Sequence, residues 1–317
     1  MMEQNISDRL LAYSARRLVR SVTGHPVTRI KKLPHGMSTF KFSVRSTSGA
    51  SFIVRFYPRC RSRVVEYEPD LLRRASEAGA KVPEVVADSR TGPEAELGYM
   101  IYVMIPGVAL SQRYAHLTPR RQEKIAAQIV QSMLSLEQVK MAGYGELVDG
   151  CRASCTSWPE FVQTTFAEGL RAVRKNRLLP GEAIRDLEWI AAASKGWLTR
   201  VPPKLVWADV SLGNVIVNDK DEFGGLIDFE GALSADRLLS LGYCRARYDE
   251  GRFYKTLVQA WPEPLGENRR RRVELYAILR ALRLAPFAHE PLPTGHRRDA
   301  LGSIFPGMGR AMRYLRD

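Results

Sequence analysis

Residues 205–230 read L-V-W-A-D-V-S-L-G-N-V-I-V-N-D-K-D-E-F-G-G-L-I-D-F-E. Asp209 and Asn214 stand in the order D-x4-N, and Asp228 follows fourteen residues after Asn214. All three side chains are oxygen ligands or bases. That is the chemistry of a phosphoryl-transfer site, where one carboxylate sits beside an attacking hydroxyl while an amide oxygen and a second carboxylate hold magnesium against nucleotide phosphates. Residues 204–207 lead into a short loop at 209–213, and Asn214 opens the apolar run Val215, Ile216, Val217. A turn at 218–222 then precedes a partner strand over 224–229. Such a hairpin brings Asn214 and Asp228 to the same end and makes a hard-cation pocket. Each residue alone reads more readily as a turn aspartate or a capping asparagine. Their joint spacing, and a charge placed directly after an apolar strand, favour a site.

The segments V-W-A-D-V-S-L-G-N-V-I-V and G-G-L-I-D-F-E resemble the aminoglycoside phosphotransferase and choline kinase-like family of small-molecule kinases. The likeness extends upstream. L-P-H-G-M-S-T-F-K-F at 33–42 resembles that family's phosphate-covering loop, and F-I-V-R-F at 52–56 the strand carrying its phosphate-binding cation. Glu68, fifteen residues before Pro83, is similar to the helix glutamate that orients the cation, and Y-M-I-Y-V-M-I-P-G at 99–107 to the hinge that meets adenine. The resemblance spans about residues 33–240.

It implies an α+β, two-lobed protein-kinase-like fold: a small mixed sheet-plus-helix amino-terminal lobe and a larger, mainly helical carboxy-terminal lobe with the metal hairpin inserted. The expected division is 1–105 for nucleotide binding and 106–317 for catalysis and substrate binding. Asp209 is then the expected base, Asn214 and Asp228 the magnesium ligands, and Gly36, Ser38, Thr39, Arg55, Glu68, Val103 and Ile105 the nucleotide-binding residues. Glu230 and Asp236 are the acidic groups expected to meet a substrate amine. The donor is expected to be ATP or GTP, with Mg2+.

Three positions depart from the family's pattern. Arg55 stands where lysine is usual, gripping phosphate as a planar fork instead of a point charge. Trp207-Ala208-Asp209 replaces H-G-D, so Trp207 is expected to brace the loop by packing. Ser240 stands where an acidic residue is common, although Asp236 is kept. Without the resemblance the upstream signals are weaker: Gly36 fits a plain hairpin turn, Arg55 a solvent-facing strand arginine, and Glu66 rivals Glu68 for the same role.

Composition bounds the rest. A chain of 317 residues with 45% hydrophobic and 26% charged content can bury a sizeable core. No run approaches the roughly 18 apolar residues that cross a bilayer, and the start lacks an apolar signal core, so a cytoplasmic enzyme is expected. Residues 6–22 are expected to form an amphipathic helix with Ile6, Leu10, Leu11, Leu18 and Val22 on or near one face. Further helices are expected at 64–78, 119–139, 158–176, 181–198, 253–260 and 269–283, and strands at 38–45, 51–57, 83–88 and 98–105. Cys60, Cys151, Cys155 and Cys244 and the five histidines form no zinc spacing, and reduced thiols are expected.

Charge is unusual: 48 Lys plus Arg against 34 Asp plus Glu, a net of +14 and a pI near 9.8. Such a field slows a polycation and favours anions. Arg59, Arg61 and Arg63 could serve a triphosphate. R-R-R-R at 269–272 reads as a solvated helix face, since no aromatic interleaving accompanies it, and nucleic acid is not an expected partner. The acceptor expected first is a hydroxyl on an aminoglycoside-type antibiotic, because A-G-Y-G-E-L before T-S-W-P-E-F resembles the layout of resistance kinases. Alternatives are a metabolic kinase for a neutral or anionic sugar, amino alcohol or nucleoside, and a non-catalytic nucleotide- or RNA-binding relative. A monomer or homodimer is expected.

Overall fold

The computed structural model describes residues 7–33, 39–198, 201–288 and 297–316, with side chains of the last segment from 307 onward. Helix α1 (Asp8–Thr23) starts at Ser7, whose hydroxyl accepts from the Leu10 amide, and stops at Gly24 in the left-handed region. Its buried stripe is Leu11, Ala15, Leu18 and Val19, while Leu10 is 44% exposed. Leu10 therefore lies off the expected face, and Ile6 lies outside the described residues.

The stripe packs on an antiparallel sheet of β1 (Val27–Lys32), β2 (Phe40–Ser46), β3 (Ser51–Tyr57), β4 (Val85–Asp88) and β5 (Gly98–Val103), in the order β1-β2-β3-β5-β4. Alternation on β3 divides its side chains. Phe52, Val54 and Phe56 join Leu11, Leu18, Tyr99 and Ile101 in one core under α1. Ile53, Arg55 and Tyr57 point the other way, towards α2 (Ser62–Val65) and α3 (Glu68–Glu77). The helix expected at 64–78 is thus two helices broken at Glu66 and Tyr67, with Pro69 in the first turn of α3.

Past Gly107 lie β6 (Val108–Ala109), α4 (Pro119–Leu136), β7 (Tyr144–Leu147), β8 (Ala153–Cys155), α5 (Trp158–Lys175) and α6 (Gly181–Ser194). They are followed by β9 (Lys204–Val206), β10 (Val215–Val217), β11 (Phe223–Leu226), β12 (Leu233–Ala235), α7 (Leu239–Tyr248), α8 (Arg252–Ala260), α9 (Glu267–Leu284) and α10 (Arg297–Arg316). The hairpin β10–β11 is widened by β6 into a three-stranded sheet, and a third sheet runs β8-β7-β12-β9. This sheet and α7 have no counterpart in the sequence reading.

Gly107 has a φ of +128°, and a Cβ there would lie 2.0 Å from the Val217 carbonyl oxygen, so only glycine lets the chain pass the hairpin so closely. The helical core runs continuously from α4 and α5 through α9 to α10, and includes Tyr57, Leu71 and Met100 from the first sheet and its helix. The two parts therefore share apolar contacts on the side of β3 that carries Arg55. The architecture is a kinase-like pair of lobes, antiparallel sheet first and helices second. No helix among the described residues is long and apolar enough to cross a membrane.

Candidate active site

Arg55 is central in position and in bonding. On the middle strand of the first sheet, it faces the second lobe and is only 2% exposed, which excludes the solvent-facing alternative. Its Nε donates to Thr39 Oγ1 at 2.9 Å and one terminal nitrogen to Glu68 Oε1 at 2.8 Å. The other donates to Asp228 Oδ1 at 3.0 Å and Glu230 Oε2 at 2.5 Å. Glu68 is buried and Glu66 exposed, which settles the choice between them. Tyr57, two residues along the same strand face, donates its hydroxyl to Glu68 Oε2 at 2.7 Å. Burial pushes the Glu68 carboxyl up, against the pull of Arg55. Burial also disfavours the Arg55 charge, but Glu68 and Asp228 outweigh it and the guanidinium is held charged more firmly than usual.

Lys41 lies directly across from Arg55 in the β2–β3 register and places Nζ 3.3 Å from Asp228 Oδ2. Burial alone would raise the Asp228 carboxyl, but Arg55 and Lys41 override it and hold it down at about 2. Asp228 ends the hairpin with a φ of +65°, a conformation aspartate tolerates better than most residues. Among the described residues Arg55 and Lys41 thus meet the carboxylates of Glu68, Asp228 and Glu230 in one cluster.

The loop that carries Asp209 is built separately. Strand β9 pairs with β12 and delivers Trp207, which stacks on Phe229 with centroids 6.3 Å apart and donates Nε1 to the Ile227 carbonyl at 3.1 Å. The expected brace by packing is therefore also a hydrogen bond, fastening the loop to the strand end that carries Asp228. Ser240, at the position usually acidic, donates to the Trp207 carbonyl at 2.9 Å. Asn214 closes a 3-10 turn, Leu212–Asn214, and its amide nitrogen donates to Asp209 Oδ2 at 2.7 Å and the Asp209 carbonyl at 3.1 Å. The Asn214 carbonyl accepts from the Ile227 amide at 2.9 Å. Asp209 is thereby one residue from the hairpin end in hydrogen-bonded connection. Its Oδ1 accepts from Arg247 of α7 at 3.1 Å and Arg280 of α9 at 3.2 Å.

Of the residues read from the sequence, Thr39, Arg55, Glu68, Asp228 and Glu230 form one bonded cluster and Asp209 and Asn214 a second, linked through Ile227. Gly36 and Ser38 lie outside the described residues. Val103 and Ile105 follow the sheet on the hinge side, where the Val103 amide is given to the Glu84 carbonyl and Ile105 packs over Gly224 and Gly225 of β11. Asp236 corrects the expectation placed on it: 2% exposed, it accepts from Tyr276 and Arg272, each at 2.6 Å, and ties β12 to α9. Glu230 Oε2 accepts from Arg55. Lys41, Arg247 and Arg280 were missed. Alternation placed Lys41 on the Arg55 face of the sheet, but nothing local distinguishes Arg247 or Arg280 from other helix arginines.

A magnesium site formed by Asn214 and Asp228 can be tested against this geometry. The Asn214 nitrogen is committed to Asp209, which leaves the amide's oxygen end for a cation, and Asp228 is held ionised by Arg55 and Lys41. The donors are all oxygen and suit a hard ion that keeps phosphate oxygens as further ligands. Among the described residues no group of three or more His, Cys, Asp or Glu is arranged to hold a metal without such help.

Comparison with solved structures shows the same fold along nearly the whole chain. A thermostable mutant aminoglycoside phosphotransferase in ternary complex with AMP-PNP and hygromycin B superposes with a TM-score of 0.66 at 17% identity, covering 96% of this chain and 97% of that one. An aminoglycoside 2'-phosphotransferase in complex with GDP gives 0.69 at 15% identity over 96% and 98%. A protein described as a candidate fructosamine-3-kinase from Thermobifida fusca YX-ER1 gives 0.65 at 18% identity over 98% and 100%. A search among curated proteins finds no match. A family model described as the phosphotransferase enzyme family matches residues 29–276, which is most of the chain, and the protein belongs to that family.

Proposed function

We propose that the chain is a nucleoside-triphosphate- and magnesium-dependent O-phosphotransferase acting on a hydroxyl of a small molecule. The observation that carries this reading is the bonded chain from Asp209 through Asn214 and Ile227 to Asp228 and Arg55, which joins a base, an amide, an ionised carboxylate and a phosphate-sized cation. Asp209 orients and deprotonates the acceptor hydroxyl. Asn214 and Asp228 hold magnesium, which when bound neutralises phosphate charge. Arg55, kept rigid by Glu68 and Thr39, and Lys41 neutralise the donor's phosphates, and the hinge at Val103 and Ile105 receives a purine, ATP or GTP. Catalysis is then positioning and electrostatic stabilisation.

A non-catalytic relative would lack the base or a metal ligand, and neither is lost. The aminoglycoside-type acceptor expected from the sequence draws no support from the pocket, because Asp236 is buried under Arg272 and Tyr276 and Glu230 is turned to Arg55. Nucleotide consumption with a panel of hydroxyl acceptors tests the assignment. Asp209→Ala is expected to lower turnover by roughly a hundredfold or more while nucleotide affinity stays nearly intact. Full activity in that variant would show that another group is the base.

A further inference from the structure

We propose that the acceptor is an anionic hydroxy compound whose carboxylate or phosphate is gripped by Arg247 and Arg280 beside Asp209; this rests on the kinase reading and names its substrate class. Both guanidiniums reach the same oxygen, Asp209 Oδ1, while Oδ2 is taken by Asn214. Their side chains are 38% and 21% exposed and that of Asp209 32%, so all three are reached by solvent. Each guanidinium carries five N–H donors in a fixed fork, and one carboxylate oxygen cannot satisfy two of them. Arg247 also bonds the Tyr248 hydroxyl, and the remaining donors, together with those now on Oδ1, suit a bidentate oxyanion.

The surroundings hold these arginines in place and add positive charge. Arg280 lies over the Tyr243 ring at 5.0 Å, and Arg283, less than one turn further along α9, pairs with Glu146 of β7. Burial, and then Arg247 and Arg283 against the help of Asp209 and Tyr243, leave the Arg280 guanidinium below its ordinary value. The carboxylates on the neighbouring elements are already paired. Glu146 holds Arg283, Glu274 and Asp249 hold the buried Arg245, and Asp236 holds Arg272. Around the base, three guanidiniums therefore face two carboxylates, the inverse of a pocket built for amines.

The arrangement also bears on the base itself. Asp209 Oδ1 already accepts from both guanidiniums and Oδ2 from Asn214, so an acceptor hydroxyl has to share an oxygen that is already bonded. An anion on the acceptor takes over those N–H groups and releases Oδ1. The acceptor oxygen then bonds to the γ-phosphorus as the bond from that phosphorus to the bridging oxygen breaks. The electron pair leaves with the nucleoside diphosphate, and the hydroxyl proton passes to Asp209.

The test is a matched acceptor panel, the same polyol bearing no charge, a carboxylate, a phosphate monoester or an amine, assayed with the unmodified protein, Arg247→Gln, Arg280→Gln and Arg280→Lys. One or both anionic members are expected to exceed the neutral one by about tenfold or more in kcat/KM, with the amine poorest. Comparison of the carboxylate and phosphate arms identifies the anion. Either Gln substitution is expected to reduce the preference about tenfold, chiefly through KM, and Arg280→Lys to restore part of it. Neutral or amine-bearing acceptors used as well as anionic ones by the unmodified protein would overturn the proposal without recourse to any variant, as would a preference surviving both Gln substitutions. Titration of the unmodified protein with magnesium and nucleotide separates the failures: binding without anion preference rejects this inference alone, and no binding rejects the kinase reading with it.

Discussion

At the residue scale, one buried guanidinium organises a cluster of four side chains. Arg55 is held by Thr39, Glu68, Asp228 and Glu230, so its fork is fixed in place. Removing Glu68, which is 1% exposed, leaves a buried charge partly uncompensated, and Glu68→Ala is expected to cost about 3 kcal/mol, read as a fall in the urea midpoint. Unchanged stability would show that Arg55 does not depend on this partner. Asp228 predicts a pH effect of definite sign. Its folded value, about 2, lies below the ordinary aspartate value, so its contribution is present above about pH 4 and lost as pH falls through about 2. Asp228→Asn is expected to flatten the decline in Tm over that window, leaving the part due to other paired aspartates such as Asp88, itself held low by Arg90 and Arg73 despite its burial. That Asp209, Asn214 and Asp228 come together was legible because their spacing in one short stretch is local. Arg247 and Arg280 were not, because two arginines among 48 Lys plus Arg acquire meaning only when the packing of distant helices brings them to Asp209.

At the element scale, the hairpin and the helix pair α7–α9 do the positioning. The hairpin could be read because Val215, Ile216 and Val217 form an apolar run with a turn behind it. Helix α7 could not, because Leu239 to Ala246 are buried on every side and show no amphipathic period. The short strands of the sheet β8-β7-β12-β9 are likewise too brief for an alternating pattern to show. The α7–α9 contact is close: a Cβ on Gly242 would lie 2.3 Å from the Tyr276 Cβ. Gly242→Ala is expected to destabilise by roughly 1–3 kcal/mol through overpacking and to disturb Arg247 and Arg280 together. Thermal unfolding together with the acceptor preference checks this, and a variant normal in both would show that the helix contact has slack. The same α7–α9 layer explains Asp236, whose spacing suggested a substrate group but whose carboxylate is used to hold Tyr276 and Arg272 of α9.

At the scale of the whole molecule, the sheet's apolar face is covered by α1 and its opposite face meets the helical lobe, so the site sits where the two meet. That arrangement follows from the alternation on β3, which sends Phe52, Val54 and Phe56 one way and Arg55 and Tyr57 the other. The net charge of +14 is largely a surface property. Arg269, Arg270, Arg271 and Arg272 each face a carboxylate, from Glu263, Glu250, Glu267 and Asp236. No steeply salt-dependent RNA binding is therefore expected at about 150 mM salt, and filter binding across a salt series would reveal it if present. The central claim is that Asp209, Asn214, Asp228 and Arg55 form one magnesium- and nucleotide-dependent site. Calorimetric titration with a non-hydrolysable nucleoside triphosphate, with and without magnesium, tests this most directly on the unmodified protein and Asp228→Ala. Binding strengthened by magnesium and lost in the variant is the predicted result, whereas no binding, or binding indifferent to both magnesium and Asp228, would contradict it.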